Sequence, residues 1–239
     1  PYMNENYGNP ASSEHMYGWQ ANQAVDVARK QISDLVNCSP NEIYFTSGAT
    51  ESNNISILGL IESIQSKKHT VTVKTEHKSV LDIFKNLSKK NISTIYLDVN
   101  NKGIVDLNEI SESLTSDISL LSIMMANNEI GVIQPIKEIG DICRGKGITL
   151  HVDAAQAMGK IDIDLKKLNV DLMSFSAHKL YAPKGVGAIY INSETTKNKL
   201  KPIIFGGGHE SGFRPGTLAV HNIVGFGEAC KIAKEEIND

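Results

Sequence analysis

Asp171-Leu-Met-Ser-Phe-Ser-Ala-His-Lys179 is the stretch on which the fold turns. Leu172, Met173 and Phe175 give it the character of a buried strand, which runs out into Ser176, His178 and Lys179 and then into Ala182-Pro-Lys-Gly-Val-Gly187. Open α/β sheets bind their ligands just beyond the carboxyl ends of the strands, which is where Lys179 falls. A lysine after a core strand is by default a solvated surface residue. Held in a low-dielectric crevice, its amine loses the proton more easily and can condense with an aldehyde.

The company of Lys179 favours the second reading. Leu150-His-Val-Asp-Ala-Ala-Gln156 is another strand, ending in an acid and an amide. Asp153 precedes Lys179 by 26 residues, room for a connection that brings both strand ends to one rim. An Asp there is ordinarily a turn or cap residue. Together with Lys179 it matches what pyridoxal phosphate (PLP) needs: a Lys for the Schiff base and an Asp that keeps the pyridine nitrogen protonated.

Outward from this pair, strands and helices alternate. Gln20 to Val36 has helical apolar spacing, Pro40 and Asn41 break it, and Glu42-Ile-Tyr-Phe-Thr46 reads as a strand. Ser47-Gly-Ala-Thr-Glu-Ser-Asn53 then leads into a helix carrying Ile55, Leu58 and Ile61. Such a turn is either a plain N-cap or an anion site, with free N–H groups, the helix dipole and the Thr50 hydroxyl facing outward.

Thr70 to Lys74 is a strand, followed by His77 and a helix with Val80, Leu81, Phe84 and Leu87. His77 reads as a helix cap or as a ring that stacks on an aromatic ligand. Strands at Thr94–Asp98 and Leu120–Met125 bracket a short helix from Leu107 to Leu114. Asn127-Asn128 follows the second, either as turn formers or as donors to a ring hydroxyl or carboxylate.

A helix from Pro135 to Lys146 has Pro in its first turn and Gly147 past its end. A last strand covers Val186–Ile191, and a helix runs from Leu218 to the terminus. Between them the glycine-rich Phe205–Thr217 segment is either a flexible connector or a loop whose Arg214 meets a phosphate or a neighbouring subunit. The pattern predicts an α/β fold with a mostly parallel sheet of about seven strands, covered by helices on both faces. No GxGxxG follows the first strand, which disfavours a nicotinamide-binding Rossmann domain.

Composition narrows the function classes. The net charge of -3 offers no electrostatic footprint for nucleic acid. No apolar run approaches the roughly 18 residues of a membrane span, and no signal peptide opens the sequence. Three scattered cysteines, Cys38, Cys143 and Cys230, form no CxxC and argue against a disulfide scaffold or zinc site, and for a reducing compartment. The opening at Pro1 and the absence of a helix stop before Asp239 lead us to expect a fragment of a longer chain.

Seven motifs in register carry a family resemblance across essentially the whole sequence: Ser47–Asn53, Thr75–Lys78, Asn127–Gly131, His151–Gln156, Ser174–Lys179, Gly206–Glu210 and Arg214–Thr217. Together they resemble the cysteine desulfurases of the IscS/NifS group, class V aminotransferase-type enzymes with a PLP-dependent type I fold. The resemblance implies that Lys179 holds PLP and moves protons at the substrate carbon, that Asp153 pairs with the pyridine nitrogen, and that His77 stacks on the ring. Asn128 and Gln156 would bond near the ring hydroxyl and steer the substrate. Ala49, Thr50, Ser176 and His178 would hold the phosphate, and Thr217 would reach the phosphate of a partner subunit in a homodimer.

The same resemblance implies a large PLP-binding domain over residues 1–217, without its opening strand. Residues 218–239 would begin the long helix to a small C-terminal domain. The family's reactive cysteine and substrate-binding arginine lie beyond that helix, and none of the three cysteines matches the nucleophile. The implied function is conversion of L-cysteine to L-alanine, with sulfur passed as a persulfide to sulfur-acceptor or cluster-scaffold proteins, for iron–sulfur cluster assembly or for tRNA and cofactor thiolation. The expected location is the cytoplasm, or the mitochondrial matrix in a eukaryote. Selenocysteine lyase, another class V PLP enzyme and a non-catalytic truncated scaffold are the alternatives. The 239 residues alone are expected to be inactive.

Overall fold

The computed structural model describes residues 1–64 and 69–237. In chain order the elements are α1 (Met16–Val36), β1 (Ile43–Thr46), α2 (Ala49–Ile61), β2 (His69–Val73), α3 (Lys78–Ser88), β3 (Ser93–Leu97) and α4 (Leu107–Ser113). They continue with β4 (Ile118–Met124), α5 (Ile136–Lys146), β5 (Thr149–Asp153), β6 (Leu172–Ser176), β7 (Gly187–Ile191) and α6 (Val220–Glu236). All seven expected strands are present, displaced by at most two residues at their ends except for β5, which stops at Asp153 and leaves Gln156 in the turn beyond it. The last helix is described to Glu236; the final two positions of the expected range, 238 and 239, lie outside the described residues.

One helix start differs clearly from the sequence reading. α1 begins at Met16 rather than Gln20, capped by His15, whose Nδ1 accepts from the Gly18 N–H at 3.1 Å. Met16, Tyr17 and Trp19 are exposed, so the first turn carries no buried stripe for a periodicity argument to detect. α5 behaves as expected: Pro135 stands at its start and Gly147 closes it with φ 64°.

The strands form one sheet in the order β1-β7-β6-β5-β4-β2-β3. β7 runs antiparallel to both of its neighbours, and the remaining pairings are parallel. β1 therefore runs in the same direction as β6, and the carboxyl ends of β1, β2, β4, β5 and β6 share one rim. Ile43, Phe45, Val71, Leu121, Val152, Met173 and Phe175 turn to the face covered by α1, α4, α5 and α6. Tyr44, Leu120, Leu172, Ile189 and Ile191 turn to the face covered by α2 and α3. Each fully buried Ile or Phe contributes about 1.5–3 kcal/mol of transfer free energy to this two-sided core.

Beneath α2 the packing is polar. Ser52, Asn53 and Ser56 are buried on the helix. On the central strands the buried His151 ring links Ser122 Oγ (2.8 Å) to Ser174 Oγ (3.0 Å). Burial pushes the His151 imidazole down to about 3, so the ring is neutral and serves as a crosslink between three strands. Gly187 opens β7 because a Cβ there would lie 2.5 Å from the Phe175 carbonyl and 2.6 Å from Gly48 Cα. The turn after β1 thus closes directly onto the strand beside it.

Candidate functional site

The shared rim opens into a cavity of about 450 Å3. β1 delivers Ser47 and Gly48 to the start of α2; Gly48 sits at φ +150°, a backbone region that favours glycine, and no side chain caps the helix. Ala49 and Thr50, whose N–H groups open the helix at the positive end of its dipole, line the cavity. β6 ends in a 3-10 turn, Ala177–Leu180, which brings Ser176, His178 and Lys179 to the same wall. Ser176 Oγ lies 3.0 Å from His178 Nδ1. Burial, and then the charges of Lys179 and Lys184, lower the His178 imidazole below its ordinary range.

Asp153 closes β5 and is 5% exposed. Its Oδ1 accepts from the Ala155 N–H at 3.0 Å and its Oδ2 from Asn53 Nδ2 at 2.9 Å. Burial nevertheless raises the Asp153 carboxyl, outweighing these two hydrogen bonds and the charge of His77. A buried carboxylate of this kind gains from a cationic partner.

His77 meets the cap reading of its position and also stands on the cavity wall. As the cap of α3, its Nδ1 accepts from the Ser79 N–H at 3.1 Å. Ser79 Oγ lies 2.8 Å from the same Nδ1 and accepts from Asn53 Nδ2 at 3.0 Å. His77 and Asp153 are therefore joined through Ser79 and Asn53. Because Nδ1 accepts, the ring proton of the neutral form belongs on Nε2.

Ala49, Thr50, His77, Asn128, Asp153, Gln156, Ser176, His178 and Lys179 all line this cavity. Thr217 does not; it is exposed, outside the cavity wall. Arg214 has a partner within its own chain, Glu51, at 3.1 Å. Burial alone would raise the Glu51 carboxyl, but hydrogen bonds from Ser47 and the Arg214 guanidinium hold it below the usual range. The Phe205–Thr217 segment is not a loose connector either. Buried Glu210 takes a two-pronged contact from Arg29 (2.7 and 2.8 Å) and accepts from the Phe45 N–H at 2.6 Å.

Several residues escaped the sequence reading: Asn53, Ser79, Glu76, Met124 and Lys184. Asn53 and Glu76 stood inside the motifs Ser47–Asn53 and Thr75–Lys78, but only the partners across the sheet give them roles. The cysteines are packing residues: Cys143 and Cys230 belong to the buried core and Cys38 packs against it. Burial pushes the Cys38 and Cys143 thiols up to about 12 and raises Cys230 further, and none of the three lines the cavity.

These groups fit PLP. The uncapped helix start with Ser176 and Thr50 suits a phosphate, the buried Asp153 suits a protonated ring nitrogen, and Lys179 supplies an amine for an aldehyde.

The comparisons with known proteins agree. A family profile described as "Aminotransferase class-V" matches residues 1–238. The chain is 55% identical over 232 residues to the cysteine desulfurase IscS of Colwellia psychrerythraea, covering 97% of this chain and 57% of that protein. A solved NifS-like protein superposes with TM-score 0.95 at 42% identity, covering 99% of this chain and 65% of that one. SspA, solved in complex with cysteine, gives TM-score 0.92 at 38% identity over 97% and 66% of the two chains. The chain thus spans less than two thirds of the length of these relatives.

Proposed function

Because the chain belongs to the class V aminotransferase family, whose IscS and NifS members are PLP-dependent, we propose that its cavity is the PLP site of a cysteine desulfurase. The observation that carries this reading is the convergence of Lys179, Asp153 and the uncapped start of α2 on one cavity. When bound, PLP supplies an electron sink for bonds at the α-carbon of an amino acid. Lys179 contributes the amine that holds the cofactor and a base for moving a proton at that carbon. Asp153 keeps a proton on the ring nitrogen, and Asn53 and Ala155 fix its carboxylate for that task. Ala49, Thr50, Ser176 and His178 take the phosphate. His77, its ring oriented by Ser79, covers the cofactor, and Asn128 and Gln156 steer the substrate.

The substrate in this reading is L-cysteine, the molecule named in the complex of the relative SspA. Its sulfur passes to an enzyme cysteine and on to sulfur-acceptor or cluster-scaffold proteins. The working unit is a homodimer in which Thr217 serves the partner's phosphate site, and the location is the cytoplasm. Residues 1–217 form the large PLP-binding domain and residues 218–239 lead towards a small domain. The sulfur-accepting thiol is not among Cys38, Cys143 and Cys230, so the 239 residues alone release no alanine from cysteine. A second reading, a PLP-binding scaffold without catalysis, is favoured by a cavity wall that carries no thiol among the described residues.

The test is a visible absorption spectrum of the chain with added PLP, before and after Lys179→Ala. A PLP–lysine band that the substitution abolishes supports the site. Its absence from the parent chain would sink the cofactor reading. Alanine formation from cysteine by the parent would refute the claim that these residues are inactive alone.

A further inference from the structure

A second buried carboxyl group lies beside Asp153. Glu76, in the turn between β2 and α3, is 6% exposed and directly precedes His77. Its Oε1 accepts from the Met124 N–H at 2.6 Å, at the end of β4, where Met124 lines the cavity. Its Oε2 is buried and has no hydrogen-bond partner among the described residues. The same turn is held a second time, to the segment just past β4, by Asn127 Nδ2 donating to the Thr75 carbonyl at 3.1 Å.

A buried carboxylate with one donor and a bare oxygen is costly, and such groups take up a proton instead. Asp153, the charged group that Glu76 faces on β5, has two donors, Asn53 and Ala155. Two adjacent carboxyls in such unequal settings divide the roles of acid and anion between them. We propose that Glu76 is a positioning residue that docks the His77 turn onto β4 as the neutral acid, leaving Asp153 as the single anion at the cofactor ring. This rests on the PLP reading for its purpose. Burial, with the Asp153 charge adding to it, raises the Glu76 carboxyl well above the ordinary range despite the hydrogen bond from Met124.

The experiment is infrared spectroscopy of the cofactor-free protein at neutral pH, with and without Glu76→Gln, alongside PLP titrations of the parent, Glu76→Gln and Glu76→Ala. A carboxylic-acid carbonyl band should be present in the parent and lost in Glu76→Gln. [13C]Glutamate labelling should shift that band in the parent, which identifies it as Glu rather than Asp even if the variant does not fold. The neutral amide of Gln keeps an acceptor for Met124, so its PLP dissociation constant should stay within about threefold of the parent. Ala strands that buried N–H and should weaken binding about tenfold. The proposal is overturned by the absence of the glutamate acid band, or by a Gln variant that binds PLP as poorly as the Ala variant. A parent that shows the acid band but forms no PLP complex would leave Glu76 neutral as proposed and sink the cofactor reading instead.

Discussion

Asn53 Nδ2 donates to Asp153 Oδ2 at 2.9 Å although the two residues are 100 positions apart. The same amide nitrogen reaches Ser79 Oγ at 3.0 Å, so one buried side chain on α2 orients both the acid and the cap of the His77 ring. Asn53→Ala would leave Asp153 with Ala155 as its remaining donor. We expect a loss of about 1–3 kcal/mol in urea unfolding and a PLP affinity lower by about tenfold. Equal PLP affinity in parent and variant would show that Asn53 serves packing rather than the site.

The protonation of Asp153 links stability to pH. Its folded-state carboxyl is raised by burial, so the cofactor-free fold holds its proton more tightly than the unfolded chain does. The stability from this group is fully present below the ordinary carboxylate range and is lost as pH rises through the folded-state value. Glu76 acts in the same direction. Asp153→Asn removes the Asp153 part while weakening PLP binding. Melting temperatures measured across the acid range should therefore diverge in favour of the variant as pH rises. Parallel curves would contradict the assignment.

Glu210 holds the Phe205–Thr217 segment onto the edge strand β1. Its side chain is 3% exposed, and it receives both Arg29 and the Phe45 N–H. Removing the Glu210 carboxylate leaves the half-buried Arg29 guanidinium and the Phe45 N–H without that acceptor, a cost of about 1–3 kcal/mol. Glu210→Ala should lower the urea midpoint accordingly. In the double variant with Arg29→Ala much of that cost should return, and strictly additive effects would mean the pair is not coupled.

Thiol labelling checks the place of the cysteines. Cys143 and Cys230 are buried and all three thiols are raised by burial, so the native chain should react far more slowly than the chain in denaturant. Cys38, half-buried, should be the first to label. Rapid labelling of any one under native conditions would mark an accessible thiolate and reopen its candidacy as sulfur acceptor.

Much of the site was legible before any fold was known. Lys179 and Asp153 stand at the ends of strands whose apolar runs are plain, and the Ser47–Asn53 turn has the small-residue chemistry of an anion site. Nine of the ten expected site residues meet in one cavity, and Thr217 lies outside it. The Glu51 partner of Arg214 was not legible in the sequence, since it lies 163 positions away. The early start of α1 was missed because exposed residues leave no stripe.

The sequence by itself determined what is set by short-range physics: the strand and helix alternation, the turn types, and the residues delivered to strand ends. Each follows from side-chain period and backbone preference within a few positions. Only the tertiary structure decided which of those ends are neighbours. The order β1-β7-β6-β5-β4-β2-β3 places Asn53 on Asp153, Glu76 on Met124 and Arg29 on Glu210, pairs separated by 100, 48 and 181 positions. These contacts depend on how the whole chain buries its apolar faces, and no local window contains that information.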